Sequence, residues 1–342
     1  MNYYKEKHIE IIFETCLHVN LLELLVLPKS KFNKQNSIRS HQDIYNLSKC
    51  NKYFNKIITC KLLKYIYLSL SDILELPSEI NFYEINARKL YVDIRLKSCN
   101  LLHPFRKLTH LIIKRNINSE NLSLEYLENL QYLNLGNWFN QSIKKETLPN
   151  NLLTLIFGDR FNQPIEKNML PIKLINLSFG ERFNSPIEID ALPINLMSLS
   201  FGCWFNQPTK KGMLPINLMS LSFGERFDNP IEVGVLPINL TSLSFGERFD
   251  QPIKIDVLPI NLMSLSFGER FDQPIEKNVL PINLMSLSFG ERFYQPIEKN
   301  ILPINLTSLS FGERYNLLIT KDKFSKNLTK LTIGKITINP QL

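Results

Sequence analysis

The chain is rich in hydroxyls that could act as nucleophiles. Ser220, Ser242, Ser264, Ser286 and Ser308 stand at steps of 22 residues. A nucleophilic serine needs an adjacent base, and no histidine accompanies these. All five histidines (His8, His18, His41, His103 and His110) lie in the first 110 residues. Five interchangeable serines also do not behave like one catalytic residue, so they read as structural. The sequence has no His-Glu-x-x-His, G-x-S-x-G, P-loop or G-x-G-x-x-G pattern. Its five cysteines (Cys16, Cys50, Cys60, Cys99 and Cys203) are an odd number without a C-x-x-C pair. That argues against a disulfide framework and a zinc site, and for a reducing, intracellular setting. No enzyme activity, cofactor or metal is expected.

A second group could do recognition chemistry. Glu225-Arg226, Glu247-Arg248, Glu269-Arg270, Glu291-Arg292 and Glu313-Arg314 place paired opposite charges at the same 22-residue step. A solvated charge ladder accounts for them, each exposed pair contributing roughly 0–1 kcal/mol. Trp138 and Trp204 take the arginine place in this column, and Cys203 takes the glutamate place. Exposed tryptophan is enriched where binding energy concentrates. Trp138 and Trp204 are therefore candidate partner-binding residues. Lys210 and Lys211 join them, from a four-residue stretch that differs between copies: 166–169, 188–191, 210–213 and 232–235.

What must position these residues is a repeat. Ten of the twelve glycines fall at 22-residue steps from Gly136 to Gly334, and Gly212 and Gly234 are also 22 apart. Prolines form two such columns, from Pro149 to Pro303 and from Pro164 to Pro296. A fixed period of 20–50 residues means a stacked array. One unit, 262–283, reads LMSLSFGERFDQPIEKNVLPIN. Leu265 and Phe267 are two apart, as in a strand with one buried face, and Ser264 and Ser266 then point the other way. Gly268 follows where the chain turns sharply, through positive φ or close backbone approach. Phe271 and Ile275 return inward. Each apolar column stacks on its copies, because one coil cannot bury its own face.

The pattern L-x-x-L-x-[FL] before a turn resembles the leucine-rich repeat. At finer grain the chain resembles the FNIP repeat family over about residues 130–335. The motif F-N-x-P-I stands as Phe161-Asn162-Gln163-Pro164-Ile165 and Phe183-Asn184-Ser185-Pro186-Ile187, and nearly as Phe205-Asn206-Gln207-Pro208-Thr209. Later copies carry Asp228, Asp250 and Asp272 in place of asparagine, and Tyr294 departs further. The resemblance implies a leucine-rich-repeat-like solenoid, often fused to an F-box. Upstream, 108–113 keeps the same phase, and 89–94 and 63–68 are strand-like at looser spacing.

The first part of the chain is different in kind. Residues 1–110 carry 17 Lys/Arg against 10 Asp/Glu, and 111–342 carry 23 against 22, which together make the net +8. Helical spacing marks 9–25 and 43–58. In the second, Asp43 is a plausible N-cap, and Ile44, Leu47, Cys50, Phe54 and Ile58 share one face. This stretch resembles the C-terminal half of an F-box, with Cys50 where valine is usual. The N-terminal half departs from the pattern, because Leu27-Pro28 follows its helix instead of preceding one. An F-box would imply docking to the Skp-type adaptor of a cullin ubiquitin ligase through Ile44, Leu47, Cys50, Phe54 and Ile58.

The expected fold class is thus a repeat solenoid with one parallel β-strand per 22-residue coil (leucine-rich-repeat-like), preceded by a small α-helical N-terminal region. The expected domains are a helical, F-box-like head (1–60), degenerate repeats forming an N-terminal cap (61–128) and the regular solenoid (129–342). The function expected is a non-enzymatic protein–protein interaction module, a substrate-recognition adaptor for a ubiquitin ligase. The alternatives are a scaffold without a ligase link, and nucleic-acid binding through the basic head. No membrane partner is expected, nucleic acid is disfavoured by the lack of any RNA- or DNA-binding motif, and a cytoplasmic location fits. An open last coil could pair with a second copy.

Overall fold

The computed structural model describes residues 67–69, 88–92, 102–103, 105–114, 122–317 and 320–340. The chain divides into two compact units, 1–89 and 90–342. In the first, strand β1 runs Tyr67–Ser69. The helices expected at 9–25 and 43–58, and with them Ile44, Leu47, Cys50, Phe54 and Ile58, lie outside the described residues. Among the described residues there is no α-helix.

The second unit is a parallel β-solenoid of about ten coils of some 22 residues. Strand β2 (Lys89–Val92) starts at its boundary. Strand β3 (His110–Ile113) and β4 (Tyr132–Asn134) set the period. Strands β5 to β11 follow at Thr154–Ile156, Asn176–Ser178, Ser198–Ser200, Ser220–Ser222, Ser242–Ser244, Ser264–Ser266 and Ser286–Ser288. Then come β12 (Ser308–Phe311) and β13 (Lys330–Ile333). Each pairs in parallel with the next at a shift of one coil, so that Leu265 lies between Leu243 and Leu287. In most of these strands a leucine is buried in the middle and the flanking residues are half-buried, as the sequence pattern requires. After β13 the chain reverses at Gly334, with φ of 55°. Strand β14 (Ile336–Ile338) then pairs antiparallel with β13. The parallel stack therefore ends in a hairpin whose last strand is exposed on all three residues.

Inside, two aromatic columns run along the array. Within a coil, Phe267 and Phe271 stack at 3.9 Å between centroids, their planes 12° apart. Between coils, Phe267 stacks on Phe289 at 5.5 Å and Phe271 on Phe293 at 6.1 Å. Each such pair contributes about 0.5–1.5 kcal/mol beyond its area burial. Equivalent points on successive coils are about 4.8 Å apart at the strands and farther apart at both aromatic columns. The coils fan outward, and the strands line the inner side of the unit's curve.

Two columns are set by the backbone. An added Cβ on Gly268 would lie 1.8 Å from the carbonyl oxygen of Gly246, and the same clash recurs at 1.7–2.1 Å from Gly158 to Gly290. These glycines allow the close approach of coils. The other special column has positive φ at Glu146, Asn168, Asp190, Gly212, Gly234, Asp256, Asn278 and Asn300, all between 60° and 85°. Gly, Asn and Asp tolerate this region, and other residues, Glu146 here, enter it only with strain. Gly212 and Gly234 are thus two members of a left-handed corner, and this place in the variable stretch is not free to vary.

Gly268→Ala is expected to lower stability by at least about 3 kcal/mol, read as the thermal unfolding midpoint. Glu146→Gly should act in the other direction, raising stability by roughly 0.5–1 kcal/mol as left-handed strain is relieved against a more flexible unfolded chain.

Candidate functional site: an uncharged face along the coils

Each strand is entered through a Pro-Ile-Asn turn in which the Pro259 carbonyl accepts the Leu262 N–H at 3.0 Å, a bond that recurs from coil to coil. The turn buries the proline and leucine and leaves the isoleucine outside. From Ile172 to Ile304 this column is 49–59% exposed. Two residues beyond the asparagine, Met197, Met219, Met263 and Met285 are 40–46% exposed. A groove of about 1090 Å³ runs between the asparagine and methionine columns, from Asn195 to Asn327.

The asparagine and threonine side chains here are already used by the frame. Asn261 Nδ2 donates to the Ile238 carbonyl at 3.0 Å, and Asn283 Nδ2 to Ile260 at 3.0 Å. Thr241 and Thr307 occupy the methionine column, and their hydroxyls donate to the Met219 and Met285 carbonyls at 3.0 Å. What remains outward is the methyl and methylene surface of the isoleucines and methionines, beside the half-buried strand serines. From 194–200 to 304–310, the segment Ile-Asn-Leu-[Met/Thr]-Ser-Leu-Ser holds no charged residue in any of six consecutive coils. Lys173 stands at the corresponding place before this window, and Lys326 and Lys330 after it. Such a composition is that of an interface core, poor in charge and rimmed by it, and a contiguous apolar patch of this kind marks an interaction site. An isoleucine at constant phase reads in the sequence as one more core column. The signal that separates it is its place inside a Pro-x-Asn turn.

The residues singled out from the sequence lie elsewhere. Trp138 is 51% exposed, with the Arg160 guanidinium 3.6 Å from its ring centre. Trp204 is 40% exposed, between Arg182 at 5.8 Å and Arg226 at 4.4 Å. Both rings are thus docked on the arginine column they interrupt, and they sit three coils apart. In the same column Arg248 Nε is 3.9 Å from Glu225 Oε1. Cys203 donates its thiol proton to Glu225 Oε2 at 3.1 Å. Burial, reinforced by the Glu225 carboxylate, pushes that thiol up, so it is a poor nucleophile at neutral pH. Lys210 lines a hollow of about 390 Å³ with Lys167, Phe205 and Met213, to which neither tryptophan contributes. Lys211 is exposed beside it, one residue before the left-handed Gly212. Among the described residues no group of His, Cys, Asp or Glu could hold a metal ion, and no helix is long and apolar enough to cross a membrane.

The sequence model of the family described as FNIP Repeat matches six times, at 128–160, 139–181, 161–203, 205–248, 249–292 and 293–335. The chain belongs to the FNIP repeat family. No curated protein matches it in sequence. Among solved structures it is similar to CroV588, described as a novel circular LRR protein, with 36% identity and a TM-score of 0.62 over 73% of this chain and 41% of that one. The Toll-like receptor TLR13, solved as a complex with ssRNA13, shares the fold at 18% identity and a TM-score of 0.52, over 74% of this chain and 44% of that one. The chain thus matches less than half the length of either protein.

The asparagine that gives FNIP its second letter is a ladder acceptor. Asn184 Oδ1 accepts the Asn206 N–H at 2.8 Å, and Asn206 Oδ1 in turn accepts the Asp228 N–H at 3.0 Å and the Asn229 side chain at 2.7 Å. Asp228 Oδ1 does the same for Asp250 and Gln251, both at 3.0 Å. Only an acceptor oxygen is used, so aspartate replaces asparagine without loss, which accounts for the later FNIP copies. Asn206→Asp is accordingly expected to change stability by less than about 0.5 kcal/mol, and Asn206→Ala to cost roughly 1–2 kcal/mol by leaving its donors unpaired. Chemical denaturation of the two variants checks this.

Proposed function

We propose that this FNIP solenoid is a non-enzymatic protein-interaction module whose recognition surface is the uncharged face, and that its head joins it to a ubiquitin ligase. The observation that carries the first part is the charge-free window of six coils, whose asparagine amides and threonine hydroxyls are already bonded to the neighbouring coil while its isoleucines stay half exposed. A surface whose polar groups are satisfied internally loses little on desolvation and gains from apolar burial. The second part rests on the likeness of residues 43–58 to half of an F-box. In that reading Ile44, Leu47, Cys50, Phe54 and Ile58 contact the Skp-type adaptor. Trp138, Trp204, Lys210 and Lys211 add local contacts outside the main face.

A second reading, a scaffold with no ligase link, is favoured by the near-identity of the exposed columns from coil to coil, which suits repetition better than one unique epitope.

Pull-down with the full chain tests both. Phe54→Ala is expected to lose the Skp-type adaptor while keeping target proteins. Ile238→Asp with Ile260→Asp is expected to lose the targets while keeping the adaptor. No adaptor binding by the unaltered chain would remove the ligase reading and leave the scaffold.

A further inference from the structure

We infer that the uncharged isoleucine face is self-complementary, and that two copies of this chain stack on it face to face about a twofold axis. The inference rests on the reading of that face as the interaction surface and names its occupant. Three features select a second copy over an unrelated protein.

The first is area. A buried aliphatic side chain withdraws about 60–120 Å² from water. Ten side chains roughly half exposed, Ile194 to Ile304 and the four methionines between them, therefore offer on the order of 300–600 Å² of apolar surface. A standard interface takes about 800 Å² from each partner, a little over half of it apolar. The face alone is therefore large enough for a stable dimer.

The second is charge. Residues 111–342 carry 23 Lys/Arg against 22 Asp/Glu, so the solenoid is nearly neutral overall and its charges of both signs lie off this face, where burying them against a second copy would cost desolvation. The six segments from 194–200 to 304–310 carry no charge and are where two copies approach without that cost. Lys173 at one end and Lys326 and Lys330 at the other stay in water at the rim.

The third is shape. The isoleucines stand on the turn that enters each strand, hence on the side of the curved stack and not on its inner surface. Two arcs laid side against side keep the same curvature and coil spacing along the whole contact. The isoleucines of one copy then meet those of the other coil by coil. An unrelated partner would need that spacing by coincidence. A twofold axis through the middle of the window brings Ile238 of one copy to Ile260 of the next.

The test is the mass of the purified full chain by sedimentation equilibrium, in which no target protein takes part. Failure of the target reading therefore leaves this result untouched. The unaltered chain is expected to rise with concentration from 39.9 kDa to twice that mass, and raising salt from about 0.05 to 0.5 M should not weaken the association, since no ion pair holds it. Ile238→Asp with Ile260→Asp should weaken dimerisation about a hundredfold or more, because charge is buried at the centre, with an unchanged thermal midpoint because both side chains are exposed. A chain that stays at 39.9 kDa up to about 100 μM would overturn the inference. So would a dimer that survives both substitutions and is lost on Ile336→Asp, which would assign contact to the outer edge of β14.

Discussion

The closest approach in this fold is between backbones. At Gly268 the space for a side chain is filled by the carbonyl of Gly246, and seven glycines repeat the arrangement along the array. Contact at that place sets how near one coil lies to the next. The hydrogen-bonded strands, the stacked phenylalanines and the asparagine ladder all need that spacing, and none could be kept if one coil stood off by the width of a methyl group. Coil spacing is thus decided by residues with no side chain, and the side chains then adapt to it.

From that constraint the inside and outside of each coil follow. Columns that face inward must be identical, because every ring stacks on its own copy above and below. The column at the left-handed corner is limited to Gly, Asn and Asp, with Glu146 the strained exception. Thr209, standing in an isoleucine column, is 8% exposed, and its hydroxyl has no partner. It is a defect the array tolerates because neighbouring coils are held by many other bonds. Where variation would be free, on the isoleucine and methionine columns, the sequence barely varies. Repetition there is not demanded by packing, so the uniform face calls for an explanation from what touches it.

Much of this was legible in the sequence. The strands at Leu265 and its copies, the inward Phe271 and Ile275 columns, the phase of 108–113 and the family likeness follow from period and pattern alone. Other features are invisible to that approach. Whether Gly268 served positive φ or close approach depends on where the neighbouring carbonyl lies, and the structure gives close approach. Asn206 and Asp228 looked like a drifting motif until their shared role as acceptors was seen. Ile238 has the periodicity of a core residue, and only the Pro237 turn that carries it shows that it faces out. The tryptophans looked free because sequence does not show that Arg160, Arg182 and Arg226 stack on them. The F-box-like stretch lies outside the described residues, so its likeness remains one of sequence.

A surface made of identical coils binds differently from one built around a single anchor. Hot-spot interfaces concentrate energy in a few aromatic or arginine side chains. Here each coil offers the same isoleucine and the same methionine or threonine, and a modest gain repeats over six coils. Affinity on such a face grows with the number of coils engaged, and alignment is set by where the window ends. Lys173, Lys326 and Lys330 supply those ends: an apolar partner sliding by one coil would meet an ammonium group that cannot be desolvated cheaply, in place of an isoleucine at Lys326 and of an asparagine at Lys173. Near-identical copies and charged boundaries thus solve two parts of one problem, the copies giving strength and the lysines giving register.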